Sequence, residues 1–170
     1  MSVQNFTLTQ SYLHEVLKYH ADTGIFAWKK SRGNQFTKIG MKAGYKDSSG
    51  HMGIEINNVR YLSHRLVWLY QYGFLPKNQI DHINGIRDDN RLCNLREATT
   101  QQNMWNKKIS SNNKSGFKNI HWSKTMKKWC VQVKANKKFV YVGYFKDLEL
   151  ADLIAHEARD KYHGQFAKHK

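Results

Sequence analysis

Apolar and polar positions change period along this chain, and the changes mark its elements. Residues 8–19 carry a short helical pattern, and 22–24 form a turn before "IFAWKK", which reads as a strand. "HMGIEINNVRYL" alternates on both sides of Asn57-Asn58, a pair suited to the left-handed corners of a tight hairpin turn. Residues 62–72 return to helical spacing, with Leu62, Leu66, Leu69 and Tyr70 on one face. A short strand ends at His82, a turn-rich loop follows through Asn84-Gly85 and residues 88–90, and a second short strand covers 95–97. A helix starts near Thr99, where Gln102 three residues on completes a capping-box pattern.

The stretch "KKISSNNKS", residues 107–115, has no hydrophobic period and reads as a linker. Beyond it the rhythm is that of strands: "FKNIHW", "KWCVQVKA" and "KFVYVGYF". Val131 and Val133 alternate with Gln132 and Lys134, as in a sheet with one buried and one open face. Asp147 is placed to cap an amphipathic helix through Tyr162, with Leu150, Ala151, Ile154, Ala155 and Ala158 inward. The fold class is therefore α+β. A first domain spans 1–106, with its core at about 60–106. A small three-stranded antiparallel sheet packed on one helix spans 116–170.

Charge narrows the partners. The 170 residues hold 28 Lys+Arg against 13 Asp+Glu, a formal net charge of +15. Eleven lysines and no acidic residue lie between Ala98 and Lys146, interleaved with Trp122, Trp129, Phe139, Tyr141 and Tyr144. A folded surface for a polyanion accounts for this better than a disordered tail. No apolar run reaches the length of a spanning helix, and residues 1–10 lack a signal-peptide core, so a cytoplasmic location without membrane attachment is expected. Cys93 and Cys130 are too few and too far apart for a disulfide framework or a zinc ribbon.

Candidate chemistry concentrates between Asp81 and Asn103. Phosphodiester hydrolysis needs an activated water, a cation on the phosphate and stabilisation of the leaving oxygen. An imidazole can be the base, and a carboxylate with a second oxygen ligand can hold Mg²⁺. "IDHINGIRDDNRLCNLREATTQQN", preceded by "YLSHRLVWLYQYG", resembles the HNH nucleases, in particular the homing endonucleases of phages and introns. The resemblance implies a ββα-metal fold with His82 as general base and Asp81 and Asn103 as metal ligands. It makes Asn94 the residue that pins the loop and orients His82, and it places His64 in the same pattern. An amide at 103 favours a single Mg²⁺ or Mn²⁺ per site, with no zinc expected.

Residues 116–167, with "W-x-V-x-V-K", "GYF" and "A-R-D-x-x-H-G", resemble the DNA-binding domain of the plant ethylene-response-factor (Apetala) family, which also occurs in homing endonucleases. That likeness implies a sheet laid in the major groove of double-stranded DNA. The residues touching DNA are then Lys118, His121, Lys128, Trp129, Gln132, Lys134, Lys138 and Tyr141, with Lys124, Lys127 and Lys137 near phosphates. Residues 1–60 are read as an extension adding contact through Lys29, Lys30 and Arg32. The reading is a site-preferring endonuclease, a monomer with a dimer as the alternative, acting in a bacterial host if phage-encoded. One site per chain cuts one strand per binding event, so it either nicks or needs two copies to break both strands. The alternatives are a non-catalytic DNA-binding regulator and a nonspecific nuclease.

Overall fold

The computed structural model describes residues 7–31 and 37–169, and the chain divides into two compact units, Met1–Glu97 and Ala98–Lys170. Arg32 lies outside the described residues.

The first unit begins with helix α1 (Gln10–Val16), whose N-cap Thr9 accepts from the Tyr12 amide. The helical spacing predicted continuation to residue 19, but the helix stops at Val16. Strand β1 (Leu17–His20) takes over and pairs antiparallel with β2 (Ile25–Trp28), Leu17 opposite Trp28. The hairpin wins because it buries Leu17, Phe26 and Trp28 together, at 0, 1 and 6 % exposure. Strands β3 (Tyr45–Lys46), β4 (Met52–Ile56) and β5 (Val59–Leu62) form a three-stranded sheet with β4 central. Its tight turn has Asn57 and Asn58 at φ 50° and 62°, the left-handed pair predicted from the sequence. Helix α2 (Ser63–Tyr72) closes on Gly73 in the left-handed conformation. It buries Leu66, Val67 and Leu69, while Leu62 and Tyr70 are only partly covered. Strand β6 (Gln79–His82) pairs with β7 (Leu95–Ala98), and helix α3 (Thr100–Trp105) follows at once. Thr99 and Gln102 make the reciprocal capping bonds of the predicted box.

The second unit contains β8 (Ile120–Ser123), β9 (Lys128–Ala135) and β10 (Lys138–Phe145), antiparallel with β9 central, and helix α4 (Leu148–His163). Asp147 caps α4, accepting from the Leu150 amide at 2.7 Å. Ala151, Ala155 and Ala158 pack on Ile120, Val131 and Val133. Leu150, read as inward, is 46 % exposed, because it sits one step round the helix from that alanine line. Arg159 is fully buried on α4 and donates to the Lys118 carbonyl at 2.6 Å.

Residues 98–106 were read with the first domain, yet they group with the second unit. Trp105 stacks on His163 at 4.2 Å, and Lys118 Nζ donates to the carbonyls of Trp105 and Lys107 at 2.5 and 2.6 Å.

Candidate functional site

Strand β6 buries three successive residues, Ile80, Asp81 and His82, at 6, 4 and 5 % exposure. The polar partners of Asp81 and His82 differ. Asp81, buried, accepts from the half-buried Arg96 guanidinium on β7, Nε to Oδ2 at 2.8 Å, in an ion pair. His82 Nε2 lies 3.0 Å from Oδ1 of Asn90, itself 1 % exposed. An amide oxygen only accepts, so the facing imidazole nitrogen carries the proton and Nδ1 carries the basic lone pair. The strand ends at His82 because Gly85, at φ 74°, turns back and donates to the His82 carbonyl at 2.8 Å.

Asn94 was expected both to pin the loop and to orient His82. Asn94 holds the loop: its Oδ1 accepts from the Asn84 amide at 3.0 Å, and its Nδ2 donates to Asn84 Oδ1 and the Asp89 carbonyl at 3.0 and 2.8 Å. Asn90 bonds the His82 ring through its side chain. Reading residues 88–90 as a turn concealed it, since a turn asparagine and an orienting one look alike in sequence. Within that loop Asp89 pairs with Arg91, which holds its carboxyl down at about 2.

The N-terminal region does more than add basic residues. The Tyr19 hydroxyl donates to the Asn90 carbonyl at 2.9 Å and accepts from the Leu92 amide at 3.1 Å. Gly24, at φ 71°, lies so close that a Cβ there would sit 2.4 Å from the Arg91 nitrogen and 2.5 Å from the Asn90 carbonyl carbon. Lys46 pairs with Asp88 at 2.8 Å, and Arg87 donates to the Ser49 carbonyl at 2.5 Å. The β1–β2 hairpin and the 47–51 loop therefore clamp the 83–92 loop from outside. Lys29 and Lys30 are engaged locally, with the His14 carbonyl and with Glu15.

His64, at 5 % exposure, sits beside His82 with ring centroids 5.2 Å apart, edge to face. His51 completes a triangle, 5.1 Å from His64 and 5.7 Å from His82. Burial pushes the His64 imidazole down to about 3, helped by the neighbouring histidines, and burial likewise lowers His51. His51 was missed because it stands before an alternating strand as one of nine histidines, with no spacing to mark it. Asn103 is half-buried on α3, with its amide bonded to the Thr99 carbonyl at 2.9 Å.

On the sheet of the second unit, register separates the predicted DNA-facing residues. Val131 and Val133 face α4, so Gln132 and Lys134 lie on the other face, opposite Val142 and Phe139. His121, Lys134 and Lys138 are exposed, and Lys128 and Gln132 are half-exposed. Trp129 does not join them: it shares the parity of Val131 and Val133 and packs against the core, with Trp122 edge-on at 5.0 Å. Tyr141 also packs against the core. A β-bulge between Phe139 and Tyr141 shifts the alternation by one residue, which no pattern count anticipates. Lys118 is turned to the carbonyls of Trp105 and Lys107, and burial with nearby Arg159 pushes its amine down to about 8. Unanticipated on the open face are Phe139, Val142 and Tyr144, at 51, 48 and 43 % exposure. The Lys134 ammonium lies 4.3 Å over the Phe139 ring.

The HNH endonuclease family profile matches residues 61–105. Protein 3.8 of Escherichia phage T7 is 37 % identical over 108 residues, covering 62 % of this chain and 87 % of that protein. No solved structure matches. No helix among the described residues is long and apolar enough to cross a membrane.

Proposed function

This chain belongs to the HNH endonuclease family, and on that footing we propose that it is a site-preferring, metal-dependent DNA endonuclease of the homing type. The observation that supports this most is His82, a buried imidazole held through one nitrogen by Asn90 at the end of β6, inside the matched span. The orientation leaves Nδ1 to take the proton of an attacking water. Asn94, Tyr19 and the Gly24 turn keep the loop, and hence Asn90, in place.

Asp81 and Asn103 both fall within the matched span and are the proposed metal ligands. A carboxylate and an amide are hard oxygen donors that fit Mg²⁺ or Mn²⁺. The Arg96 ion pair restricts the Asp81 rotamer. When bound, the cation neutralises charge on the scissile phosphate and stabilises the leaving 3′ oxygen. One such site cuts one strand, so a single copy nicks and two copies are needed to break both.

The open sheet face of the second unit, with His121, Lys128, Gln132 and Lys134, together with exposed Lys138 beside the β9–β10 turn, is the proposed reader of double-stranded DNA, in the manner of an ethylene-response-factor domain. Phe139, Val142 and Tyr144 add apolar surface to that face. The phage relative supports action inside an infected bacterial cell. The test is cleavage of supercoiled plasmid with Mg²⁺, with EDTA, and by His82→Ala and Asp81→Ala. Metal-dependent nicking lost in both variants supports the enzyme and its site. Binding without cleavage across a broad set of DNAs favours a non-catalytic regulator instead.

A further inference from the structure

We propose that His51, His64 and His82 form a second cation site, selective for zinc-like transition metals, whose occupancy silences the nuclease. One ring nitrogen from each residue can be chosen so that all three lie within 4.8 Å of one another. The Nδ1 atoms of His51 and His64 are buried and lack a hydrogen-bond partner. Two buried polar atoms in that condition, on rings whose centroids are 5.1 Å apart, are costly unless something takes their lone pairs. Burial favours the neutral, ligating form of both rings.

The donor set decides the metal. Three imidazoles suit Zn²⁺, Co²⁺ or Ni²⁺, whereas Mg²⁺ prefers oxygen ligands. The sequence expectation of no zinc concerned the carboxylate and amide of Asp81 and Asn103, and the imidazole triangle is a different donor set. Zinc–nitrogen bonds of about 2.0–2.1 Å require the three nitrogens to draw in to roughly 3.3 Å apart. Ring rotation of His51, which stands on the loop before β4 and is half-exposed, supplies much of that movement. Three protein ligands leave a fourth position for water or a phosphate oxygen.

The consequence for catalysis rests on the proposed role of His82. A neutral imidazole has one basic lone pair. Coordination through either nitrogen uses it, and the ring can no longer take a proton from water. Zinc would therefore inhibit cleavage at Mg²⁺ concentrations that fully support it, without displacing the ion at Asp81 and Asn103.

The experiment is titration of the full-length, chelator-treated protein with Zn²⁺ by calorimetry and with Co²⁺ by visible absorption, free of DNA. The wild type is expected to bind one ion and show the intense bands of four-coordinate cobalt. Asp81→Asn retains this site, and His51→Gln and His64→Gln each weaken it at least 100-fold while keeping the wild-type circular dichroism spectrum. Equal affinity in wild type and folded His64→Gln, or loss of the ion in Asp81→Asn with the histidines intact, overturns the proposal. In the plasmid assay zinc is expected to abolish Mg²⁺-dependent nicking by the wild type and to be at least 10-fold less potent against whatever activity His51→Gln retains. Should the wild type cut no DNA under any condition, the nuclease reading fails while the cation site stands or falls on the titration alone.

Discussion

Replacing Asn90 by alanine separates orientation of the base from integrity of the loop. The Asn90 side chain bonds His82 Nε2 at 3.0 Å, and both residues are at or below 5 % exposure. Losing it frees the imidazole to rotate and to exchange tautomers. A hydrogen bond of this kind is worth about 1–1.5 kcal/mol net, and that free energy in the transition state corresponds to about a 10-fold fall in kcat. Asn94 makes three such bonds to the loop. Asn94→Ala should therefore cost about 2–4 kcal/mol of stability. The assay is single-turnover nicking with Mg²⁺ at saturating enzyme, alongside urea unfolding of both variants. Asn90→Ala is expected to lower kcat with little change in KM, and Asn94→Ala to lower the unfolding midpoint. The reasoning is refuted if Asn90→Ala cuts at the wild-type rate, or if folded Asn94→Ala loses kcat while keeping its stability.

Gly24→Ala places a methyl against the backbone of Asn90 and Arg91 and holds a non-glycine residue at φ 71°. A loss of about 2 kcal/mol or more is expected, read as a lowered Tm, and an unchanged Tm would remove the clamp from the account. His64 has a folded pKa of about 3 against an ordinary value of 6.5, so protonation opposes folding and stability present above pH 6.5 drains away as the pH falls. At about 1.4 kcal/mol per unit, roughly 2.5 kcal/mol disappears between pH 7.5 and 4.5, before the carboxylates titrate. Urea unfolding in EDTA should show this slope in the wild type and a flatter one in His64→Gln. Lys134→Ala and Lys138→Ala should each weaken DNA binding and reduce the salt dependence of affinity by about one phosphate contact, measured by fluorescence anisotropy across a salt series. Lys118→Ala, whose amine is turned to Trp105 and Lys107, should leave that slope unchanged and lower stability instead.

What the sequence by itself determined is local. The Asn57-Asn58 turn, the Thr99–Gln102 capping box, the Asp147 cap and the Val131/Val133 alternation were all readable, because each depends on residues within a few positions of one another. Asp81, His82 and Asn94 also stood out, since the family spacing is a pattern of neighbours along the chain. The tertiary structure decided everything that joins distant segments. Asn90 bonds His82 from within the loop, and His51 reaches His64 and His82 across 13 and 31 residues. Tyr19 and Gly24 grip a loop some 70 positions away. The same holds for the side of the sheet on which Tyr141 lies, which one bulged residue reverses, and for α3, which an aromatic stack assigns to the second unit. Periodicity reports which face of an element is buried, but the partner across that face is set by packing in three dimensions, which spacing along one segment does not encode.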